Sequence, residues 1–189
     1  MLARIATPVL AIALIATVVT QILYISTGIS ATPGAQVLWR SEAVLFLVIA
    51  LFGFAWMRAA PLLAGGLVLG GLINLLQVAI GLLLFGAFEG AQQGAVVGLA
   101  FVFYYAGKIA FSFAALAIGF TGLAGAGWSR IASWLALLAG VAGLAINLYA
   151  LAGGSAMFVA GAAGTAATFA LALSLGAHGM AISRIKDEE

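Results

Sequence analysis

The stretch that decides the fold is residues 61–87, PLLAGGLVLGGLINLLQVAIGLLLFGA, which contains no charged side chain. A helix needs about 20 apolar residues to cross the hydrocarbon core of a bilayer, so this stretch is long enough to span it. Its apolar residues do not alternate with polar ones, as they would in a strand of a membrane barrel. The stretch therefore predicts a transmembrane helix.

Similar apolar stretches follow one another along the whole chain. Of the 189 residues, 66% are hydrophobic and 6% are charged, whereas a soluble domain carries about 25% charged residues. We predict an all-α, polytopic membrane bundle of six transmembrane helices that forms a single transmembrane domain over residues 1–189. The predicted helices cover residues of about 5–26, 42–58, 61–87, 95–124, 131–152 and 155–181. Turn residues separate them, at Thr32-Pro33-Gly34, Pro61 and Gly153-Gly154.

Basic residues set the predicted orientation. Five of the seven fall on the side of the amino terminus: Arg4, Arg58, Arg130, Arg184 and Lys186. Arg40 falls on the other side, and Lys108 lies within a span. Because cytoplasmic loops are enriched in Lys and Arg, we predict a multi-pass protein of the inner (cytoplasmic) membrane with both termini cytoplasmic. The belts of interfacial aromatic residues agree: Trp56, Trp128 and Trp134 at the inner interface, and Trp39, Tyr24 and Tyr149 at the outer one.

A cleaved signal peptide is the alternative interpretation of the first apolar stretch, which follows Arg4. That stretch exceeds the apolar region of about 7–15 residues that is usual in signal peptides. We therefore expect it to be retained as the first helix.

Small residues four positions apart predict where helix backbones approach closely. The pairs are Gly66/Gly70, Gly94/Gly98 and Gly161/Thr165. We expect them to pack inside the bundle rather than to form a dimer contact.

The outward-running helices share a pattern. Gly70 and Gly143 each stand four residues before an asparagine, Asn74 and Asn147, and Gln21 occupies a similar level of the first helix. One interpretation is three copies of a helical hairpin, since transporter folds often contain internal repeats. The other is that membrane anchors and a small set of residue types produce such matches without common ancestry.

Polar side chains concentrate in the predicted outer half, while the inner half holds mainly Ala, Gly, Leu and Val. The candidate ligand-binding residues are Glu42, Lys108, Asn74, Gln77, Gln21, Asn147 and Tyr105. This asymmetry predicts a polar pocket near the outer face with a sealed floor, and it argues against a continuous aqueous pore. The alternative is that the amides only join helices to one another.

Lys108 is the charge inside the predicted fourth helix. One interpretation is that its stem lies in lipid and its ammonium reaches the headgroups. The other is that it faces the interior and pairs with an acid, because intramembrane ionisable residues usually mark functional sites. Glu42 is the first candidate partner and Glu89 the second. His178, near the inner end of the last helix, is expected to be structural.

Motifs for common cofactors and catalytic centres are absent from the sequence. It contains no cysteine and one histidine, which argues against a metal centre. It also lacks a P-loop, a dinucleotide-binding glycine pattern and a nucleophile elbow. We therefore expect no cofactor and no nucleic-acid partner, assign no catalytic residue, and favour a role without catalysis.

Short stretches of the chain resemble a family of uncharacterised bacterial six-helix membrane proteins of the domain-of-unknown-function type. The stretches are Ala3-Arg4-Ile5-Ala6, Ser41-Glu42 and Arg130-Ile131. The resemblance extends over the whole chain in the order of its helices, but only these stretches resemble the family in amino-acid sequence. It implies a bacterial inner-membrane location and no particular activity.

Three functional hypotheses fit these observations. The first is a transporter-like protein that binds a small or amphiphilic ligand, such as a small molecule or a lipid, through its outer half. The second is a non-catalytic accessory subunit that packs on another membrane protein or on a second copy of itself. The third is a membrane enzyme that acts on lipid. The lipid bilayer is a partner in all three.

Overall fold

Six long helices account for most of the chain. The structure, a computed structural model, describes residues 2–27, 33–85, 87–153 and 157–187, with side chains described over 5–26, 33–85, 87–153 and 159–178. The helices are α1 (Leu2–Thr27), α2 (Pro33–Gly53), α3 (Pro61–Leu84), α4 (Gly90–Gly122), α5 (Trp128–Leu151) and α6 (Met157–Asp187). Each contains a segment long and apolar enough to cross a membrane. The predicted all-α fold of six membrane helices is confirmed.

The helices are arranged as a ring in which each packs on the next and α1 closes against α6. α4 also packs on α6, so it borders three other helices. α1 and α4 are separated by a gap: over the described ranges, no Cα of one lies within 8 Å of a Cα of the other. Side chains therefore have to bridge this gap.

The bundle has two ends of different character. We call the first the cavity end, because a cavity lies there. It contains the end of α1, the start of α2, the end of α3, the starts of α4 and α6, and the end of α5. The opposite end, called the basic end for its arginines, contains the start of α1, the α2–α3 and α4–α5 connections, and the end of α6. Arg58 and Arg130 are exposed at the basic end, and Arg40 is exposed towards the cavity end. The side chains of Arg4, Arg184 and Lys186 lie outside the described residues, so the orientation in the membrane stays a prediction.

α2 begins at Pro33 rather than at residue 42. Pro33 and Gly34 form its first turn instead of a loop, since proline has no N–H to lose at a first helical position. Trp39 anchors this additional length because its ring packs between those of Tyr24 and Phe85, at centroid distances of 5.5 and 5.4 Å. As a result Glu42 lies well inside the helix rather than at its start.

The other helix ends differ less from expectation. α3 begins at Pro61, as the sequence predicts. α4 begins at Gly90 rather than near residue 95, so Gln92 and Gln93 lie in its exposed first turn and not in a loop. Gly127 has a φ of 58°, which a residue with a side chain rarely adopts, and this allows the turn between α4 and α5.

Two helix backbones approach closely where α3 meets α4. A Cβ built on Gly66 would lie 2.7 Å from the Cβ of Ala114 and 2.8 Å from the carbonyl oxygen of Ala110. Gly70 faces the ring of Phe111 in the same interface. The predicted Gly66/Gly70 pair therefore packs inside the bundle and lets two backbones approach closely.

The other two small-residue pairs behave differently from each other. Gly161 packs towards Tyr104, with 3.4 Å from a built Cβ to the phenolic oxygen. Gly94 and Gly98 have no atom within 4 Å of a built Cβ. Internal packing is therefore the wrong prediction for Gly94/Gly98, because both glycines lie on an exposed face of α4.

We expect Gly66→Ala to lower the free energy of unfolding by about 1–3 kcal/mol, the usual cost of overpacking. The added methyl would meet backbone atoms of α4, which cannot move aside without separating the helices. Gly65→Ala is the matched control, because nothing lies within 4 Å of a Cβ at that position. Thermal unfolding of both variants in detergent, followed by circular dichroism, measures the difference; equal midpoints would contradict the packing described here.

Candidate functional site

Lys108 bridges the gap between α1 and α4. Its side chain is 0% exposed, and Nζ donates a hydrogen bond of 2.7 Å to Oε1 of Gln21 on α1. The hydroxyl of Thr165 on α6 donates to the same oxygen at 3.1 Å. The lysine thus faces the interior of the bundle and not the lipid headgroups, and one amide oxygen joins three helices.

The space that holds the lysine is formed by α4 and α6. On α6, Gly164 leaves room for the stem, since a Cβ there would lie 2.7 Å from Cγ of Lys108. Nζ lies 5.3 Å from the centroid of the Tyr104 ring, within the distance of about 6 Å at which an aromatic face attracts a cation. The ammonium is therefore held by an amide oxygen and a ring, both of them neutral.

Glu42 is held separately from Lys108. It is 5% exposed, and its Oε1 accepts a hydrogen bond of 3.0 Å from Thr20 on α1. In the described chain no oxygen of Glu42 lies within 4.0 Å of Nζ of Lys108, so the predicted direct ion pair is not formed. Glu89, the other predicted partner, is exposed at the start of α4.

The two charges still interact through space. They are kept apart because neighbouring residues of α1 bind them separately: Thr20 binds the carboxylate and Gln21 binds the ammonium. This arrangement could not be read from the sequence, where the opposite charges of Glu42 and Lys108 favour direct contact.

Asn74 and Asn147 are buried amides that bond within their own helices, and Asn147 also bonds to a second helix. Both are 0% exposed, and their Nδ2 atoms donate to the carbonyl oxygens of Gly70 and Gly143, at 2.7 and 2.8 Å. Asn147 also donates to the carbonyl oxygen of Ala160 on α6 at 3.1 Å. Neither asparagine lines the cavity described below.

The shared Gly-x-x-x-Asn pattern of α3 and α5 corresponds to a shared structure. In each helix the asparagine bonds to the glycine four residues earlier and packs on the next helix, Asn74 against Gly107 of α4 and Asn147 on α6. Gln21 of α1 instead bonds to Lys108 and Thr165. The pattern therefore extends over two of the three hairpins.

A cavity of about 400 Å³ lies at the cavity end, between α1, α2, α3, α4 and α6. Three of the predicted residues line it: Gln21, Glu42 and Gln77. Most of the wall is apolar, and it includes five aromatic side chains: Tyr24, Trp39, Phe85, Phe101 and Tyr104. Lys108 is not part of the wall but is bonded to it through Gln21.

The sequence does not predict the aromatic wall, because the positions of Tyr24 and Trp39 near helix ends fit an outer-interface belt equally well. Tyr105, the predicted tyrosine of the site, is 6% exposed and packs towards α5 and α6 with Ala150 and Ala160. Tyr104 lines the cavity instead.

A second polar group lies at the basic end. Nδ1 of His178 is 2.7 Å from the carbonyl oxygen of Ser174, and the missing side chain of Gly122 leaves space for the Nε2 of His178 and the hydroxyl of Ser133. Within the described residues Nε2 has no hydrogen-bond partner. This group lies far along the helices from the cavity, and its structural role stays a prediction.

We expect Gln21→Leu to destabilise the protein by about 1.5–3 kcal/mol, because the buried ammonium of Lys108 loses its acceptor. The double variant Gln21→Leu/Lys108→Met should be more stable than Gln21→Leu alone, because it leaves no unpaired charge. Gln77→Leu, which removes an amide that bonds to neither Lys108 nor Glu42 in the described part of the chain, is the matched control. Unfolding midpoints in detergent measure all three; a double variant less stable than Gln21→Leu would count against the bridge.

Comparisons with protein-family models, with curated proteins and with solved structures found no match. Function is therefore inferred from the chemistry of the cavity and of the two buried charges beside it.

Proposed function

We propose that this membrane protein binds a small or amphiphilic ligand in the cavity at its cavity end, in a transporter-like role. The observation that carries the proposal is the composition of the wall. Glu42, Gln21 and Gln77 supply polar groups within a lining that is otherwise mainly apolar. Such a lining suits a molecule that is itself partly apolar and partly polar.

The size of the cavity supports the proposal. Sites for small ligands usually have volumes of about 300–1,000 Å³ and a few polar groups on a largely apolar lining. At about 400 Å³, the cavity falls within this range. Five helices contribute to it, so a bound ligand would contact most of the ring.

The position of α1 supports the transporter-like role. Thr20 and Gln21 bind the two buried charges, and Gln21 also lines the cavity. A ligand that bonds to Gln21 competes with Lys108 for the same amide oxygen. Ligand binding and the charge network are thereby coupled through one side chain, as transport driven by a charge or a proton would require.

We also propose that the cavity end faces the outside of an inner membrane, with both termini cytoplasmic. Arg58 and Arg130, exposed at the basic end, and the single Arg40 towards the other end support this orientation. The resemblance to bacterial six-helix membrane proteins is consistent with such a location. The accessory-subunit and lipid-enzyme hypotheses stay predictions.

The absence of native cysteine makes the cavity directly testable. In Val97→Cys, a variant of a residue that lines the cavity, we expect N-ethylmaleimide to label the thiol and 1-octanol to slow the labelling, because the alcohol occupies the same space. Gln92→Cys, exposed at the same end outside the lining, is the control for effects of octanol on the bilayer. Equal slowing at both positions, or none at Val97→Cys, would argue against ligand binding here.

The orientation has its own test. In intact cells, a membrane-impermeant maleimide should label Gln92→Cys and leave Arg130→Cys unlabelled until the membrane is permeabilised. Both positions are exposed, so a difference in labelling reports which side of the membrane each thiol faces. The reverse pattern would place the amino terminus outside.

A further inference from the structure

We propose that the ligand of the cavity is a lipophilic organic cation, meaning a substituted ammonium group attached to an apolar body. This inference rests on the proposed function, since it names the chemical class of ligand for the same cavity. It draws on three features: the carboxylate in the wall, the aromatic side chains around it, and the position of Lys108.

Among the described residues that line the cavity, Glu42 is the one with a formally charged side chain. A carboxylate taken out of water is costly unless it has a counter-charge or several hydrogen-bond donors. The described residues supply one donor, the hydroxyl of Thr20, which reaches Oε1. That hydroxyl also lies 2.9 Å from the carbonyl oxygen of Thr17, so its proton is shared between two acceptors. Lys108 stays more than 4.0 Å from this carboxylate, so a cation bound in the cavity would supply a counter-charge in direct contact with it.

Aromatic rings surround the same space. Trp39 lies between Tyr24 and Phe85, with tilted rings at 5.5 and 5.4 Å. On α4, Phe101 and Tyr104 form an edge-to-face pair at 6.3 Å. Aromatic faces attract quaternary ammonium groups, most strongly where water is excluded. The rings also provide the apolar surface that the body of such a ligand needs.

Other classes of ligand fit the wall less well. An anion would meet the Glu42 carboxylate, and the lining residues that the structure describes include no Lys, Arg or His to attract it. A sugar carries a hydroxyl on most of its carbons, and a mainly apolar lining would leave several of them without partners. A neutral apolar molecule would fill the space but leave the carboxylate without a positive charge in contact with it.

Lys108 acts as a competitor of the bound cation. Its ammonium is bonded to Gln21, lies against Tyr104, and interacts with Glu42 through space. A cation in the cavity therefore binds beside a positive charge of the protein. Removal of that charge should strengthen cation binding, whereas removal of the Glu42 charge should weaken it.

The test measures binding of benzyltrimethylammonium to the full chain in lipid nanodiscs by isothermal titration calorimetry, with empty nanodiscs subtracted. Its carbon isostere, neopentylbenzene, has the same shape without the charge. We expect Glu42→Gln to weaken binding of the cation at least tenfold and to leave binding of the isostere unchanged. The variant keeps an oxygen for Thr20, so the fold should persist. Glu89→Gln removes an exposed carboxylate at the same end. It should change neither the binding of the cation nor that of the isostere.

Two further variants keep the test decisive if Glu42→Gln does not fold. Phe101→Leu removes a ring of the wall and keeps the position apolar. It should therefore weaken binding of the cation several-fold more than binding of the isostere. Lys108→Met should strengthen binding of the cation several-fold and leave binding of the isostere unchanged.

The outcomes separate this inference from the proposed function. Equal affinity for cation and isostere, or cation binding that is insensitive to Glu42→Gln and Phe101→Leu, overturns the cation class. If the cation fails to bind while 1-octanol still protects Val97→Cys, the cation class alone is overturned. If the cation fails to bind and octanol gives no protection, the proposed function falls as well.

Discussion

The ammonium of Lys108 must find partners inside the bundle, because its side chain is fully buried in a protein that lipid surrounds. The cost of taking such a charge out of water is several kcal/mol even after the structure relaxes. The protein offsets this cost with the amide oxygen of Gln21 and the face of Tyr104. Gln21 lies on α1 and accepts a second hydrogen bond from Thr165 of α6, so the lysine fixes α1 and α6 relative to α4 through one amide oxygen.

Gln21 connects this constraint to the cavity. The same oxygen accepts from Lys108 and Thr165, and the same side chain lines the space in which we place the ligand. The neighbouring Thr20 binds the Glu42 carboxylate. One turn of α1 therefore positions both charges, and it does so where the backbones of α1 and α4 are too far apart to pack. Polar side chains thus connect α1 to α4, whereas small residues let α3 and α4 pack directly on each other.

The fold was largely predictable from the sequence, since length and hydropathy alone determine which stretches can cross a bilayer. The start of α2 was not, because Pro33 and Gly34 suit a turn and a first helical turn equally well. What decides between them is the packing of Trp39 against Tyr24 and Phe85, a contact between three helices. This difference also moved Glu42 from a helix end into the interior.

The site was predictable in composition but not in its contacts. The polar residues of the predicted outer half gather at one end of the bundle, and three of them share a cavity. Which amide meets which charge depends on the rotation of each helix about its axis, and periodicity constrains that weakly when nearly every residue is apolar. The choice of Tyr105 over Tyr104 is an example, because adjacent residues of a helix point about 100° apart.

The length of α4 has a consequence for the depth of the cavity. Its 33 residues span about 50 Å at 1.5 Å per residue, whereas the hydrocarbon core of a bilayer is about 30 Å thick. Such an excess is accommodated by tilting or by extension into the headgroup layer. The exposed first turns of α4, with Gln92 and Gln93, are the part suited to that layer. Val97 and Phe101 then stand near the boundary between headgroups and hydrocarbon, and the mouth of the cavity becomes accessible to molecules that concentrate at the membrane surface.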